Sequence, residues 1–176
     1  MNFEIGRSED FLVEHCYSCA VPGYLIVSPL ASVESLDALP RQSVESLGPL
    51  LANVTSLVKE AVNPLRIYCA QFGEEQSRLH FHIFPRGAAL TEEYLEAFPH
   101  HASQIRGPIV LDWARDRYRC SHEVVFETVA GVIGQLRESW NVQSGSRRYL
   151  TSSPHTTLHA APHRAVHLEP LTKLSG

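Results

Sequence analysis

One segment of the chain reads Arg78-Leu79-His80-Phe81-His82-Ile83-Phe84-Pro85-Arg86, with polar and apolar side chains in alternation as far as Ile83. Successive side chains of an extended strand point to opposite faces of a sheet. The pattern predicts that the apolar members pack into the core, namely Leu79, Phe81 and Ile83. The polar members are predicted to stand in a row on the other face, about 7 Å from one to the next, namely Arg78, His80 and His82.

A row of two imidazoles and one guanidinium is unfavourable to bury without a partner, and a metal ion or a phosphate group would suit it. The pattern by itself leaves three interpretations open. The row can be the ordinary surface polarity of an amphipathic strand. The imidazoles of a His-x-His pair can also chelate a metal ion. Finally, one of them can act as a nucleophile or bind phosphate.

Two strands are predicted before this segment. Residues 11–16 and 24–28 have the apolar, β-branched and aromatic composition of strands, and Pro22-Gly23 supplies a turn between them. The continuous run at 24–28 is typical of a strand that is covered on both faces. A further strand at 65–72 is expected to pair with the segment that holds the histidines.

A long helix is predicted to begin at Pro49, because the missing N–H of proline is harmless in a first helical turn. Asn63-Pro64 supplies its stop. One face of this helix is apolar, at Leu50, Leu51, Val54, Leu57, Val58 and Ala61.

The C-terminal half carries weaker signals. A short helix is predicted at 90–98 and a short apolar segment at 109–111. A helix at 121–140, with Ser121 available as its N-cap, has an apolar face, at Val125, Val129, Val132, Ile133, Leu136 and Trp140. We therefore predict one domain over residues 1–140, followed by a flexible tail over 141–176 that is rich in Ser, Thr, His and Pro.

Composition narrows the class of protein. The 176 residues fit one domain, and an apolar content of 44% is enough for a core. With 15 Lys and Arg against 19 Asp and Glu, the net charge of −4 argues against a nucleic-acid partner. The N-terminus lacks the pattern of a signal peptide, and prolines interrupt the uncharged run at 16–33, which argues against a membrane span. We therefore expect a cytoplasmic protein whose 4 cysteines are reduced.

Three blocks of the chain resemble the histidine-triad family of nucleotide hydrolases and transferases. Val21-Pro22-Gly23-Tyr24-Leu25-Ile26-Val27-Ser28-Pro29-Leu30 is similar to the family's Pro-Gly-His-x-Leu-Val-x-Pro strand. Residues 33–39 continue in the family's manner toward its long helix, and residues 80–86 resemble the latter part of its His-φ-His-φ-His-φ-φ signature. The resemblance covers about residues 11–87. It implies an α+β fold with a twisted antiparallel sheet of five strands, one long helix and a C-terminal helix.

The resemblance also implies roles for individual residues. His80 matches the nucleophile that attacks the α-phosphorus and carries a transient nucleotidyl group, for which a neutral imidazole is competent near pH 7. His82 matches the last histidine of the signature, which contacts the phosphate and stabilises its developing charge. Polar contacts near the scissile phosphate are expected from Gln71 and Gln76. The apolar walls of the base pocket are expected at Leu12 and Ile26.

The chain departs from the signature at Arg78, which replaces the first histidine. A fixed cation there would hold His80 neutral and could itself bind a phosphate oxygen. The same replacement favours an alternative function, a non-catalytic nucleotide sensor of the same fold. A second alternative is a metal-dependent enzyme that uses the His80-x-His82 pair together with a third ligand.

The expected partners follow from the same resemblance. The substrate is a purine nucleotide joined through phosphate to a leaving group, such as a dinucleoside polyphosphate, and the family usually forms homodimers. No cofactor or protein-bound metal is required by this chemistry, although a divalent cation can accompany a polyphosphate.

Three other groups of residues carry weaker functional signals. Cys16 and Cys19 form a Cys-x-x-Cys pair that could bind zinc or form a disulfide, but without a second such pair we expect partly buried thiols. Arginines that alternate with other residues near two aspartates predict a self-paired surface strip, at Arg115, Arg117 and Arg119. Histidines recur every fourth position in the tail, where prolines argue against a helix and against a designed metal site, at His155, His159, His163 and His167.

Overall fold

The computed structural model describes residues 2–73, 76–120 and 127–151 of the chain. Its strands are β1 (Glu4–Arg7), β2 (Phe11–His15), β3 (Leu25–Pro29), β4 (Arg66–Ala70) and β5 (Phe81–Arg86). Its helices are α1 (Arg41–Val62), α2 (Ala88–Ala97), α3 (Gly107–Arg117) and α4 (Glu127–Thr151). The strands form a sheet in the order β1-β2-β3-β5-β4, in which every neighbouring pair is antiparallel. The predicted α+β fold with a five-stranded antiparallel sheet is confirmed.

Helices cover both faces of the sheet. One face packs against α1 and α4 in a core built on alternate strand residues, among them Phe11, Val13, Leu25, Val27 and Ile83. On the opposite face, α2 and α3 pack around Tyr24 and Phe84, both fully buried. The turn that leads into β3 depends on Gly23, whose φ of +78° is a conformation that side chains with a Cβ rarely adopt. β3 is fully covered on the face toward α1 and α4. On the other face Tyr24 is buried just before the strand but Ile26 and Ser28 are only partly buried, so the predicted cover on both faces is incomplete.

The position of β5 differs from the predicted strand at 78–84. The ladders with β3 and β4 begin at Phe81 and His82, so Arg78 and His80 precede the strand. The N–H of Leu79 instead donates to the carbonyl of Val33 at 2.8 Å. β5 begins later than predicted because the residues just before it are hydrogen-bonded to the segment that follows β3.

The first long helix begins earlier than predicted. α1 starts at Arg41, so Pro49 lies inside the helix and does not occupy its first turn. Pro49 is exposed, and the carbonyl that loses its helical partner there can bond to water. The end is as predicted, since Asn63 caps the helix in the left-handed conformation with φ of 40°. The predicted apolar face is confirmed by the burial of Leu50, Val54, Leu57 and Val58.

The C-terminal helix continues beyond its predicted end at Trp140. α4 runs to Thr151 and packs on α1 and β1 through its apolar face, at Val129, Ile133, Leu136 and Trp140. The first part of the predicted tail, residues 141–151, is therefore helical. The predicted N-cap Ser121 and tail residues 152–176, including their histidines, lie outside the described residues.

The predicted short helix at 90–98 is confirmed as α2, which ends at Ala97. The apolar segment predicted at 109–111 lies within a longer helix, α3. None of the helices in the described ranges combines the length and the apolarity needed to cross a membrane.

Candidate active site at the histidine pair

A cavity of about 610 Å³ lies between the sheet and α3. Its floor is the face of the sheet that carries Tyr24, Ile26 and His82, together with His80 just before β5. The chain after β2 contributes residues 16–18 to the lining, and α3 contributes residues from one helical face. A volume in this range is typical of small-molecule sites.

His80 and His82 are in contact on the floor of the cavity. They are two positions apart and point to the same face, so their ring centroids lie 4.7 Å apart with the planes inclined at 68°. Pairing opposite Ile26 on one side and Ala70 on the other fixes His82 within the sheet. His82 is buried to all but 6%, whereas His80 is partly exposed. The predicted histidine pair therefore exists, although His80 is outside the strand.

The hydrogen bond of His80 identifies which ring nitrogen can react. Nδ1 of His80 lies 2.8 Å from the carbonyl oxygen of Arg78. A carbonyl can only accept, so Nδ1 carries the proton of the bond and the neutral ring keeps its lone pair on Nε2. An imidazole nitrogen with a lone pair at the floor of a cavity is suited to nucleophilic attack.

The second histidine is held by a buried phenol. The Tyr24 hydroxyl lies 2.7 Å from Nδ1 of His82, and Tyr24 itself is fully buried. The Tyr24 ring also contacts Phe84 edge to face, at 5.2 Å between centroids. When the phenol donates to Nδ1, the proton of the neutral His82 ring lies on Nε2, which makes that atom a hydrogen-bond donor.

Of the two glutamines that are expected near the scissile phosphate, one lies in the cavity and the other does not. Gln76 lines the cavity. Gln71 is exposed outside it, and its Nε2 donates to the carbonyl of Phe72 at 3.1 Å.

Only one of the two predicted apolar walls lines the cavity. Ile26 does so. Leu12 pairs with Ser28 and therefore projects to the same face as Ile26, but it lies farther along the sheet and is not among the lining residues. Phe72 supplies apolar surface instead, with its ring centroid 5.5 Å from that of His82.

Arg78 lies outside the cavity that contains the histidines. Its guanidinium donates to the carbonyl of Pro29 at 2.8 Å and to that of Leu30 at 3.3 Å. The row of three polar side chains predicted from the sequence is therefore divided. The guanidinium anchors the approach to β5 on the end of β3, and the backbone carbonyl of Arg78 orients His80.

The α3 side of the cavity contains residues that the sequence did not single out as a site. Pro108, Leu111, Asp112 and Arg115 line the cavity from α3. They are spaced as i, i+3, i+4 and i+7, which places them on one helical face. That spacing would have identified them if residues 107–117 had been recognised as a helix. The signal for Tyr24 was its position in the Pro-Gly-x block, where the resembling family has histidine.

The two cysteines of the Cys-x-x-Cys pair lie at or near the cavity. Cys16 lines the cavity, and its Sγ lies 3.4 Å from the Ser18 hydroxyl. Burial raises the pKa of Cys19 to about 12, so its thiolate is disfavoured. Both thiols are buried, which exceeds the partial burial predicted for them. Across the described ranges, no cluster of three or more His, Cys, Asp or Glu side chains is arranged to hold a metal ion.

Comparisons with known proteins identify the fold of the chain. No protein-family model matches the chain, and no curated protein matches it by sequence. Solved structures do match. A hypothetical histidine triad nucleotide-binding protein from Sulfolobus tokodaii is 15% identical with a TM-score of 0.55, and the match covers 82% of this chain and 87% of that one. A zinc-bound histidine triad family protein from Mycobacterium smegmatis is 13% identical with a TM-score of 0.54, over 83% and 88% of the two chains.

A third match is a histidine triad protein from Bradyrhizobium japonicum, 17% identical with a TM-score of 0.54, over 78% of this chain and 90% of that one. All three matches extend well beyond the blocks that carry the sequence resemblance. The chain therefore has the histidine-triad fold.

Proposed function

We propose that the protein is a histidine-triad nucleotide hydrolase or nucleotidyl transferase that forms a covalent nucleotidyl-histidine at His80. The observation that carries this proposal is the 2.8 Å bond from Nδ1 of His80 to the Arg78 carbonyl, which keeps the lone pair on Nε2. The histidine-triad fold of the chain and the position of His80 on the floor of the cavity support it further.

The reaction consists of two displacements at the α-phosphorus. The lone pair of His80 Nε2 forms a bond to phosphorus while the bond from phosphorus to the leaving group breaks, and its electron pair departs with the leaving group. In the second displacement, the oxygen of water or of another acceptor attacks the same phosphorus. The P–N bond then breaks, its electron pair returns to Nε2, and the proton of the attacking hydroxyl passes to solvent.

His82 stabilises the charge that develops on the phosphoryl oxygens. With Tyr24 donating to its Nδ1, His82 offers Nε2–H to one of those oxygens. Gln76 offers an amide donor from the loop before β5, and Ile26, Phe72 and Leu111 offer apolar surface to the base. We propose dinucleoside polyphosphates and related nucleotide conjugates as substrates.

The test is the release of nucleoside monophosphate from dinucleoside polyphosphates and nucleoside phosphoramidates by the wild-type protein and by His80→Ala. We expect His80→Ala to lower kcat by at least about a thousandfold, because it removes the group that forms the covalent bond. Mass spectrometry of the acid-sensitive intermediate, trapped at neutral pH, should show one nucleotidyl group on the wild type. His100→Ala is the matched control, since His100 is exposed and does not line the cavity.

The outcomes separate the proposal from its alternatives. Equal turnover by the wild type and His80→Ala would overturn the role of His80. Nucleotide binding without turnover or a covalent adduct would point to a sensor. Activity that is lost with a chelator and regained with a divalent metal would point to a metal-dependent His80-x-His82 site.

The homodimer, the cytoplasmic location and the independence from a bound cofactor remain predictions. Light scattering at several protein concentrations tests the homodimer, for which we expect the mass of two chains. A chelator-treated sample that retains activity on a phosphoramidate would support chemistry without a bound cofactor.

A further inference from the structure

Two arginines lie directly opposite each other where β4 begins and β5 ends. Arg66 of β4 pairs with Arg86 of β5 in the antiparallel ladder, and residues in such positions have Cβ atoms about 4.5–5.5 Å apart on one face of the sheet. The N–H of Leu65 donates to the carbonyl of Arg86 at 2.9 Å, which holds the two backbones together at this end. Two guanidinium groups are therefore attached to the same small area of the sheet.

The charges of this arginine pair are not neutralised by the protein groups around them. Like charges directly opposite in a ladder are destabilising. Within the ranges that the structure describes, neither Arg66 nor Arg86 forms an ion pair. By contrast, Arg117 and Arg119 each pair with a carboxylate, as predicted for the surface strip. The arginine pair is therefore a local concentration of positive charge.

The Arg86 guanidinium is held in place and keeps unused donors. Its Nη1 donates to the Thr91 hydroxyl of α2 at 3.3 Å. Its Nε is buried and has no hydrogen-bond partner among the described residues. A guanidinium has five N–H donors, so a single hydroxyl satisfies a small part of them. Because Arg86 is partly exposed and Arg66 is exposed, an anion from solvent can reach both side chains.

The arginine pair is separate from the histidine pair. Arg86 follows His82 by four residues on the same face of β5, which places their Cα atoms about 13 Å apart. Phe84 lies between them, fully buried and stacked on Tyr68 with 6.3 Å between ring centroids. Neither arginine lines the cavity that contains the histidines. One phosphate group therefore cannot contact both places.

We infer that Arg66 and Arg86 form a binding site for a phosphate group outside the candidate active site. Phosphate carries about two negative charges at neutral pH, which matches two guanidinium groups. Its oxygens can accept hydrogen bonds from both planar groups, whereas a single guanidinium already saturates the two oxygens of a carboxylate. Binding removes the repulsion between the arginines. The site does not depend on His80 being a nucleophile.

The test is a titration of the full-length protein with inorganic phosphate, followed by NMR of the arginine side chains. At constant ionic strength, the Nε–H signal of Arg86 should shift in a saturable way. In Arg66→Met, the dissociation constant read from the same signal should rise at least about tenfold, because a charged bidentate partner is lost. Arg66→Lys keeps the charge without the planar fork and should weaken binding by about threefold or more.

Arg7→Met is the matched control for these variants. Arg7 lies on β1, the other edge strand of the sheet, and pairs with Glu4 at 3.0 Å. Its replacement should leave the dissociation constant for phosphate unchanged. Arg66→Met should itself fold normally, because Arg66 is exposed and its side chain makes no hydrogen bond with another described residue.

The outcomes decide both the site and the source of the phosphate group. Equal dissociation constants in the wild type and Arg66→Met, or a shift that sodium chloride reproduces, would overturn the proposal. A shift confined to the ring signals of His80 and His82 would place the phosphate in the cavity and would also overturn it. A parallel titration with glycerol 3-phosphate distinguishes the sources: tighter binding than inorganic phosphate supports a site for a phosphomonoester, and weaker binding supports a site for the free ion.

Discussion

The hydrogen bond between Tyr24 and His82 should determine which ring nitrogen of His82 carries the proton. Tyr24→Phe removes the hydroxyl that lies 2.7 Å from Nδ1 and leaves the aromatic ring in place against Phe84. Because both partners are buried, Nδ1 loses its bond in a site with little access to water. We expect the loss of about 1–3 kcal/mol of unfolding free energy, which lowers Tm by about 2–4 °C for each kcal/mol in a domain of this size.

The same change should reduce catalysis through the tautomer of His82. Without the phenol, the proton of the neutral ring is no longer directed to Nε2, and a bias of about 1.4 kcal/mol corresponds to tenfold in population. We therefore expect kcat for nucleoside monophosphate release to fall by about tenfold, with a smaller change in KM. Long-range nitrogen–proton NMR spectra of the histidine rings report the tautomer directly and should show Nε2–H of His82 in the wild type and a mixture in Tyr24→Phe.

Tyr68→Phe is the matched control for this experiment. Tyr68 is stacked on the same Phe84 ring, at 6.3 Å between centroids, and it does not line the cavity. It should leave both kcat and the His82 spectrum unchanged. An unchanged tautomer and an unchanged kcat in Tyr24→Phe would refute the reasoning, even if the variant were less stable, because a purely structural role predicts only the loss of stability.

Three further predictions concern stability and reactivity. Burial lowers the pKa of His15 below its usual 6.5. As the pH drops below about 6.5 the unfolded chain therefore takes up a proton at His15 before the folded chain does, and the stability of the fold should decrease. Tm measured from pH 7.5 to 5 should decline less steeply in His15→Leu than in the wild type, and parallel profiles would contradict this. A Cβ at Gly6 would overlap the indole of Trp140, so Gly6→Ala should destabilise the fold by about 1–3 kcal/mol in urea unfolding. Gly131→Ala in α4, where the added methyl meets nothing, should stabilise it by about 0.5–1 kcal/mol, and equal effects of the two changes would disprove the packing argument. The Cys19 thiol, whose burial raises its pKa to about 12, should resist iodoacetamide at pH 8 until urea unfolds the chain, as read by mass spectrometry, and rapid alkylation of the native protein would contradict its burial.

Four of the five strands could be predicted from local signals, whereas β1 was not predicted and the number five came from the family resemblance. Strands β2 and β3 follow from β-branched and apolar runs, and the stop of α1 follows from Asn63-Pro64. The start of α1 could not be found in the same way, since Pro49 is a strong signal for a first turn. The helix extends past it because Ser43 and Leu47 continue the buried face for two more turns. Burial by tertiary contacts outweighed the local preference of one proline.

The residues of α3 that line the cavity were not predicted, for a different physical reason. Hydrophobic periodicity identifies a helix by the face that it buries in a core. The face of α3 that lines the cavity carries Asp112 and Arg115 beside Pro108 and Leu111, so it does not appear apolar in the sequence. A helix that borders a binding cavity is therefore harder to recognise than one that borders a core, and the residues of most interest for ligand binding are those that weaken the signal.

The division of the polar row at Arg78 explains how His80 can keep its orientation without the first histidine of the signature. Arg78 and His80 both precede the ladder, and alternation holds for His80, which lies beside His82, but not for Arg78. Its guanidinium is held by the carbonyls of Pro29 and Leu30, and its own carbonyl accepts from Nδ1 of His80. The tautomer of His80 is therefore set by the backbone. The side chain at position 78 acts on His80 by holding that backbone in place, which is a requirement that a guanidinium anchored to two carbonyls can meet.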